Sequence, residues 1–587
     1  MIVPMRKATI LFKTGDAETT IKSVRSLGLL HVEHQNRPES REISRLMENV
    51  SRIDSSLDIL NQETGSDKKT QPQEKITGDW MAVVTHIIEL GRYLEELKTS
   101  SSHLTSQIKE WEPWGDIDSV QIENLNQNGI YLKLCKVPVK EIETFPEDVI
   151  VKTIFTSKDT VSCVAISRRQ FECPFVEILP PKQGLSLLKS QVAENKATLA
   201  KTKEEIIYSA IFWDDLSGIR KKLGKEIELQ QVISGMGKGG DISYITGYIP
   251  SDQEGQLIAE VKSRKWGIMI TDPSEDDDVP TLLQNPRWVR MIQPVLNLLG
   301  LTPGYQELDI SMWFLVFFSL FFGILIGDAG YGLVYIILTL LVMIWFHKKG
   351  RLNAEMKTMG SLVCLLGSCA AIWGVLTGTF FGPGWLVPLV PQLNDANTME
   401  SFCFFLGAFQ LSIAHVWRAI LKFPSLKVLA DVGYICILWT AFFLARTLVL
   451  GEPFPSFGLW LVGTGIALVI LFTNPQPRVL RGIGEGLGAI ALGFMNNITD
   501  VISYVRLFAV GLAGLAISET TNTLASGFGD GLVAVMAGVV ILIIGHSLNI
   551  ILGIISVLVH GVRLNVLEFS GHANVSWSGT PFEPLKE

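Results

Sequence analysis

The sequence predicts an α-helical membrane bundle attached to an N-terminal cytoplasmic arm of mixed α+β structure, and three observations lead to this fold class. Charged residues make up 18% of the 587 residues, but beyond residue 312 the chain becomes a series of apolar blocks. Several blocks are long enough to cross a hydrocarbon core of about 30 Å. Before them, charged segments with apolar residues every three or four positions alternate with short β-rich runs. We therefore expect an arm at 1–290, a linker at 291–311, a membrane domain at 312–570 and a cytoplasmic tail at 571–587.

The arm begins and ends with the same strand–helix–strand pattern. Residues 7–13 are β-rich, 17–26 are helical and 29–33 are β-rich again. Residues 242–272 repeat this order, with Ser251 as the expected N-cap of the helix. The first copy is half of a small α/β lobe. No signal-peptide core follows the first residues, so we expect the arm to stay in the cytoplasm.

Helices and strands alternate through the middle of the arm. We expect helices at 41–62, 80–111 and 184–232, and strands at 129–137, 149–155 and 160–168. Helices on both sides of a strand block predict an antiparallel coiled-coil hairpin whose ends carry small α/β lobes. The alternative is a helical bundle folded back on the lobes. The polar stretch 63–75 is expected to be a mobile turn.

Composition and missing motifs argue against several functions. The net charge of −8 argues against nucleic acid as a partner. The seven cysteines form no C-x-x-C pair, so we predict neither a metal site nor a disulfide framework. No G-x-x-x-x-G-K-[ST] loop occurs, and the glycine-rich residues 235–240 follow a helix, so we interpret them as a flexible turn. We expect no catalytic residue and no cofactor on this chain.

The first apolar block decides how many crossings the chain makes. As one helix, 312–346 would be about 50 Å long, too long for a single crossing without heavy tilt. A turn at the glycine-rich residues 327–332 places the basic loop 347–357 in the cytoplasm, as the positive-inside rule requires. Later loops then alternate correctly between basic and non-basic. The result is eight crossings with both termini inside, the last two long and tilted: 312–327, 329–346, 358–380, 401–420, 428–449, 457–473, 484–518 and 531–567.

The last two predicted helices each carry a polar stripe that contains an arginine. At 100° per residue, one narrow face of each helix collects Asn496, Thr499, Asp500, Ser503 and Arg506 on the seventh and His546, Asn549, Ser556, His560 and Arg563 on the eighth. Arginine at mid-bilayer costs at least about 2.5–3.5 kcal/mol, and polar groups facing lipid are unsatisfied. We interpret the stripes as a hydrated path for a proton or cation. The alternative is that they only join helices through hydrogen bonds.

The stripes carry two fixed positive charges and one certain acid, Asp500, while Glu568 lies near the end of the eighth helix. The missing negative charge is expected on another subunit. A mobile carboxylate that passes two arginines would be held ionised and would release its ion. Of the remaining polar residues at membrane depth, we expect Arg446 to extend to the interface and Asp328 to be structural.

Several segments resemble the membrane-embedded subunit a, or I, of V-type and archaeal A-type rotary ATPases. The resemblance covers most of the chain and is strongest at 321–332 (FFGILIGDAGYG), 374–382 (GVLTGTFFG), 407–410 (GAFQ) with His415, 503–509 (SYVRLFA) and 560–569 (HGVRLNVLEF). Weaker matches are 247–250 (GYIP), 279–285 (VPTLLQN) and 581–584 (PFEP). One departure is Gly553, where some relatives carry an acidic residue.

This resemblance implies a non-catalytic stator of a proton- or sodium-transporting ATPase in the cell membrane. Arg506 and Arg563 would face the glutamate-bearing rotor ring of proteolipid (c/K) subunits, beside two offset aqueous half-channels. The arm would meet peripheral-stalk E/G-type subunits, with a central-stalk C/d-type subunit nearby, and the helices would meet membrane lipid. The competing interpretations are an independent secondary transporter with a cytoplasmic regulatory domain and a non-conducting scaffold.

Overall fold

The computed structural model describes residues 1–64, 74–138, 145–146, 148–156, 160–173, 175–179, 183–384, 386–473, 493–527 and 531–586. The chain divides into two compact units. One unit comprises residues 1–11, 27–33 and 246–586, and the other comprises 12–26 and 34–245. The limits predicted for the arm, the linker, the membrane domain and the tail stay predictions.

The second unit is built on an antiparallel helical hairpin, as predicted. Its helices are α2 (Arg41–Thr64), α3 (Trp80–Trp111), α5 (Leu185–Ser209) and α6 (Trp213–Gly235). Helix α3 packs against α5 and α2 against α6. An ion pair shows that α3 and α5 are antiparallel, because Glu112 near the end of α3 lies 2.8 Å from Lys189 near the start of α5. Apolar side chains from all four helices share one cluster that includes Leu57, Val84 and Leu216.

The predicted continuous helix at 184–232 is wrong, because a 3₁₀ turn at Ala210–Phe212 separates α5 from α6. The turn is fixed from outside: the Ile211 carbonyl accepts a hydrogen bond from the Glu74 amide at 3.0 Å. The Asp215 carboxylate accepts one from the Ile76 amide at 2.8 Å. These two hydrogen bonds connect the 3₁₀ turn and the start of α6 to the segment that precedes α3. The apolar periodicity of a single helix carries no information about such contacts.

One acidic residue cross-links three helices of the hairpin. The Glu63 carboxylate lies 3.1 Å from both Lys98 and Lys203. Burial acts to raise the pKa of Glu63, but the two ammonium groups outweigh it and hold that pKa below its ordinary value. Residues 65–73 of the predicted mobile turn lie outside the described residues.

The far end of the hairpin carries a lobe with a four-stranded antiparallel sheet. Its strands are β3 (Tyr131–Pro138), β4 (Ile150–Thr156), β5 (Thr160–Ser167) and β6 (Val176–Ile178), in the order β4-β5-β3-β6, beside α4 (Ser119–Gln127). The strands β3, β4 and β5 match the prediction. The interpretation of 235–240 as a flexible turn is wrong, because β7 (Gly237–Gly239) pairs with the start of the next strand, β8 (Ile242–Pro250).

A second sheet contains β1 (Met5–Lys13), β2 (His31–Glu33) and β9 (Gly267–Thr271) together with β8, in the order β2-β8-β1-β9. With the helices α1 (Ala17–Leu27) and α7 (Glu254–Ser263), these strands fit both predicted strand–helix–strand patterns. The prediction of Ser251 as N-cap is wrong: Ser251 begins a 3₁₀ turn, and its hydroxyl donates to the Pro4 carbonyl at 2.9 Å. The chain end lies beside this sheet, where the Leu585 amide donates to Leu30.

The eight predicted apolar segments each coincide with a helix. A short helix α8 (Gln293–Leu298) precedes them; they are α9 (Ser311–Ile326), α10 (Ala329–Lys348), α11 (Ala354–Thr377), α12 (Ala396–Lys422), α13 (Val428–Leu450), α14 (Ser456–Phe472), α15 (Gly493–Ser526) and α16 (Leu532–Ala573). Six of these are long and apolar enough to cross a membrane, and α9 and α14 are shorter. The predicted residues 484–492 lie outside the described part, and α15 extends to Ser526 rather than ending at 518.

The predicted turn in the first apolar block is confirmed, and Asp328 fixes it. Gly327 ends α9 in the left-handed conformation, and Asp328 caps α10. The buried Asp328 carboxylate accepts four backbone N–H bonds of 2.8 to 3.1 Å, from Gly330, Tyr331, Phe381 and Gly382. A Cβ at Gly374 would lie 2.0 Å from the Ala329 nitrogen, so only glycine permits this close contact of α11 with α10.

Helix α9 lies at the centre of the membrane bundle. Twelve of its 16 residues are buried, among them Phe314, Phe318 and Phe321. It packs against α11 on one side and against α15 and α16 on the other. The two arginine-bearing helices therefore rest on a rigid apolar support.

We predict that Asp328→Ala destabilises the protein far more than Asp395→Ala does. Asp395 is an exposed N-cap of α12, and losing such a cap costs about 1 kcal/mol. Removing the Asp328 carboxylate leaves four buried N–H groups without an acceptor, at about 1–3 kcal/mol each before relaxation. Thermal unfolding of the detergent-solubilised protein measures both. Equal shifts of the midpoint would show that Asp328 does not hold the turn.

Candidate functional site

A buried polar tether fixes the two arginine-bearing helices against α12. The Tyr504 hydroxyl donates to the Gln410 side-chain oxygen at 2.7 Å, and the Gln410 amide donates to Asn565 at 3.0 Å. All three side chains are fully buried. A Cβ at Gly407 would come within 2.6 Å of the Tyr504 ring, so glycine is needed for this approach. The tether lies two residues from each arginine.

The backbone around the second arginine is not α-helical. Residues Val557–Gly561 and Leu564–Phe569 of α16 form π-helical turns. A π-helix bonds each residue to the fifth residue along, and such turns are frequent at functional sites. The wider turn brings Glu568, five residues beyond Arg563, to the same face. The predicted polar stripe was drawn at 100° per residue, the value for an α-helix, and therefore did not place Glu568 on the face of Arg563.

Glu568 lies between the two arginines. Its Oε1 is 3.6 Å from Arg563 Nε and 4.0 Å from Arg506 Nη1. The Glu568 side chain is only 5% exposed, whereas that of Arg506 is 22% and that of Arg563 is 53% exposed. Among the described residues, neither Arg506 Nη1 nor Glu568 Oε2 has a hydrogen-bond partner. Two guanidinium groups therefore share one carboxylate, and part of their hydrogen-bonding capacity is unused.

The other predicted residues of the seventh helix are more dispersed. Asn496 and Thr499 are exposed, and the Ser503 hydroxyl donates to the Thr499 carbonyl. Asp500 lies on the inner side and meets a histidine, described below. On α16, His560 is half-buried and lies close enough to interact with the charges of Arg506 and Arg563.

His546 and Asn549 form a separate cluster in the other half of α16. The Tyr331 hydroxyl is 2.7 Å from His546 Nδ1 and accepts a bond from Asn549 at 3.0 Å. His546 Nε2 lies 3.1 Å from the Asn522 side-chain oxygen, so Nε2 carries a proton and donates it to that oxygen. This pattern joins α10, α15 and α16. Hydrogen bonds of this kind are what the alternative interpretation of the polar stripes predicts, in which they only join helices. A role of His546 and Asn549 in an ion path stays a prediction.

A cavity of about 520 Å³ lies beside this cluster. It extends from the turn at Asp328 along one side of α15. Its wall includes Leu507, next to Arg506, and further along α15 it includes Gly511, Ser518 and Glu519. The cavity thus connects the neighbourhood of the first arginine with the end of α15 that the charge pattern places outside.

On the opposite side of the arginines, the structure assembles a polar group that the sequence analysis missed. Asp500 contacts His572, His572 contacts His415, and His415 contacts Asp431, which is paired with Lys422. His572 had been assigned to the tail, and His415 was noted only as part of a family motif. An acid in an apolar span, Asp431, was the one signal available in the sequence.

Arg446 is paired at the end of α13. It lies 2.5 Å from Glu452 and its guanidinium sits 5.5 Å from the Phe442 ring. This position at the helix end agrees with the expected extension toward the interface. Gly553, where some relatives carry an acid, faces Ile326, whose Cδ1 lies 2.6 Å from a Cβ built there. A side chain at position 553 would therefore require the end of the Ile326 side chain to shift.

Helices α15 and α16 are the least covered of the six long apolar helices. Of the residues in their most apolar stretches, 22% and 11% are buried, against 50% for α13. Large apolar side chains such as Leu512, Ile551 and Val559 are exposed along them. These helices therefore present an apolar surface, interrupted by arginines, to whatever surrounds the chain.

Six helices long and apolar enough to cross a membrane, with Arg506 and Arg563 on the two least covered of them, place the chain in the class of membrane proteins. No family model matches the chain. The chain is 30% identical to V-type ATP synthase subunit I 1 of Treponema pallidum over 642 aligned positions, which cover 100% of both proteins. It is 28% identical to V-type ATP synthase subunit I of Borreliella burgdorferi, again over 100% of both.

A more distant relative is A-type ATP synthase subunit I of Methanocaldococcus jannaschii, 25% identical over 73% of this chain and 68% of that protein. A crystal structure of the cytoplasmic N-terminal domain of subunit I, a homologue of V-ATPase subunit a, aligns with a TM-score of 0.25 and 12% identity over 45% of this chain and all of that one. The chain belongs to the subunit I family of V-type and A-type ATP synthases.

We predict that Glu568→Ala destabilises the protein by about 3 kcal/mol, because it leaves two arginines without their shared carboxylate inside the bundle. The matched control is Glu452→Ala, which removes the partner of Arg446 from a half-exposed pair and should cost no more than about 1 kcal/mol. Thermal unfolding in detergent compares the two variants. A Glu568 variant as stable as the Glu452 variant would show that the carboxylate does not balance the arginines.

Proposed function

We propose that this chain is the non-catalytic membrane stator of a V/A-type rotary ATPase. In this role Arg506 and Arg563 act on a carboxylate of the rotor ring while H⁺ or Na⁺ crosses, coupled to ATP hydrolysis or synthesis. The observation that carries the proposal is the placement of both arginines around one buried carboxylate, on the two least covered helices of the bundle.

The charge balance supports a second carboxylate at this site. Two guanidinium groups and Glu568 leave one positive charge in excess at this site, and a positive charge held at membrane depth is costly. A carboxylate on a facing helix would accept the unused Arg506 N–H and lower that cost. Arginine suits this role because it stays charged and offers a fork of donors. The same charge repels a cation that would cross without being carried.

Two separate routes to the arginines support alternating access. The cavity along Gly511, Ser518 and Glu519 reaches toward Arg506 from the side assigned as outer. Asp500 and the groups joined to it approach from the other side. A carboxylate that travels between the routes would load an ion on one side and release it on the other. The arginines stand between them and prevent a direct leak.

The remaining expectations belong to the same proposal. The helical hairpin serves as a stator arm that meets peripheral-stalk E/G-type subunits, with a C/d-type subunit nearby. The arm and the tail lie in the cytoplasm and the helices in the cell membrane, since basic residues cluster in the loops between α10 and α11 and between α12 and α13.

We predict that Arg506→Ala abolishes ATP-driven ion uptake by the complete complex in vesicles, down to the level without ATP. The ring carboxylate would lose the donor that holds it ionised, so ion release would stop. Arg506→Lys should retain only part of the activity, because an ammonium group lacks the planar fork.

Arg446→Ala is the matched control, since it removes an arginine at a helix end from an existing ion pair. Its ion uptake should stay within about twofold of the wild type, in line with the small energy of such pairs. Normal ion uptake by an assembled Arg506→Ala complex would exclude the proposed role.

A further inference from the structure

The loop between α10 and α11 carries basic side chains that have no acidic partner. Four basic residues and one acid, Glu355, lie between positions 346 and 358. In the part of the chain that the structure describes, none of the four basic side chains forms an ion pair. These residues, which we call the basic cluster, are all exposed: Lys348, Lys349, Arg351 and Lys357.

The basic residues of the other inner loop, between α12 and α13, are used differently. Asp431 lies 2.6 Å from Lys422 and 3.6 Å from Arg418, so both of these cations are paired within the bundle. The positive-inside rule explains why both loops are basic. It does not explain why one loop pairs its cations while the other leaves four of them unpaired at the surface. The basic cluster is therefore free to meet an anion from outside the chain.

An exposed apolar stripe on α10 leads to the basic cluster. It consists of Ile337, Leu341 and Trp345, each about half exposed, and Lys349 follows at the next four-residue step. Residues at this spacing are neighbours on one face of a helix. From Ile337 to Lys349 the helix axis covers about 18 Å, and half of the hydrocarbon core of a membrane is about 15 Å thick. The apolar stripe and the first cation thus match the length of one leaflet.

Trp345 joins the apolar stripe to the positive charges. Lys349 Nζ lies 3.7 Å from the centre of the Trp345 ring, and the Phe346 ring lies 4.8 Å from that ring. Tryptophan is enriched where hydrocarbon meets the lipid headgroups. An ammonium group over its ring is attracted by the π-electrons. The contact therefore holds a positive charge at the level where a phospholipid has its phosphate.

The helix ends account for only part of the basic cluster. A cation at the C-terminus of a helix is favoured by the helix dipole, which explains Lys348 at the end of α10 and Lys349 beside it. Lys357 lies in the first turn of α11, where the dipole disfavours a cation. Arg351 lies in the loop between the two helices. Two positive charges are therefore kept here without a partner and without a favourable dipole.

We infer that the basic cluster and the apolar stripe together bind an anionic phospholipid of the inner leaflet. The cations bind the phosphate of the headgroup, and an acyl chain lies along the stripe. A soluble phosphate compound fits the charges but leaves the adjacent apolar side chains uncovered, so the lipid matches the whole surface. The inference goes beyond the proposed function and does not depend on it, because it concerns only how the chain meets the membrane.

Photolabelling of the full chain in vesicles tests the inference. Phosphatidylcholine vesicles contain a trace of phosphatidylglycerol, or of phosphatidylcholine as the neutral probe, with a diazirine beside the headgroup. Mass spectrometry then locates the label. We expect phosphatidylglycerol to label residues 341–357 at least about fivefold more than the neutral probe, which is the usual effect of one basic residue at a membrane surface. High salt should reduce the difference, because it screens exposed charges.

Lys349→Gln and Arg351→Gln, made together, test the basic cluster itself. Both side chains are exposed, so the fold should not change, and thermal unfolding in detergent checks this. Labelling of 341–357 by phosphatidylglycerol should fall toward the level of the neutral probe. Lys427→Gln is the matched control, since Lys427 is an exposed basic residue of the other inner loop. It should leave labelling of 341–357 as in the wild type.

Three outcomes would overturn the inference. Equal labelling of 341–357 by both probes in the wild type would show that this surface does not select an anionic headgroup. Undiminished labelling in the double glutamine variant would show that the basic cluster does not bind the lipid. Loss of the label in the complete ATPase complex would show that a protein subunit covers the basic cluster. None of these experiments measures ion transport, so the proposed function is decided separately by Arg506→Ala.

Discussion

The structure depends on how two permanent positive charges are kept within an apolar bundle. Arg506 and Arg563 cannot lose their protons, so the protein must compensate them. It does so with one buried carboxylate, Glu568, at 3.6 and 4.0 Å. One carboxylate thus faces two guanidinium groups, and more than half of the Arg563 side chain remains exposed. The other helices of the bundle hold Arg506, Arg563 and Glu568 in these positions.

Helices α15 and α16 pack against buried side chains on one side, and their opposite surfaces are exposed. Phenylalanines of α9 fill the centre of the bundle, and the Tyr504–Gln410–Asn565 tether positions the helices two residues from each arginine. The opposite surfaces of α15 and α16 remain exposed and apolar. Charges that a packed support holds in fixed positions are the arrangement that preorganised electrostatic stabilisation requires.

Periodicity and charge were enough for much of the fold. The helices α2 and α3 follow the apolar spacing almost to the residue, and loop charges located the turn at Gly327. The stripe geometry failed at Arg563, because a π-turn changes the angle per residue and brings Glu568 to the arginine. The contact between His415 and His572 spans 157 positions of the chain, a pairing that no local pattern encodes.

The two polar regions beside the arginine-bearing helices differ in the space they offer. The outer cavity, about 520 Å³ with Glu519 in its wall, has room for a hydrated cation. On the other side, His572 Nδ1 lies 2.9 Å from His415 Nε2 in a buried hydrogen-bonded group, and this distance leaves no space for a cation between the two rings. Both regions contain acidic side chains, so the difference between an open cavity and a closed hydrogen-bonded group comes from the packing of the helices and not from their composition.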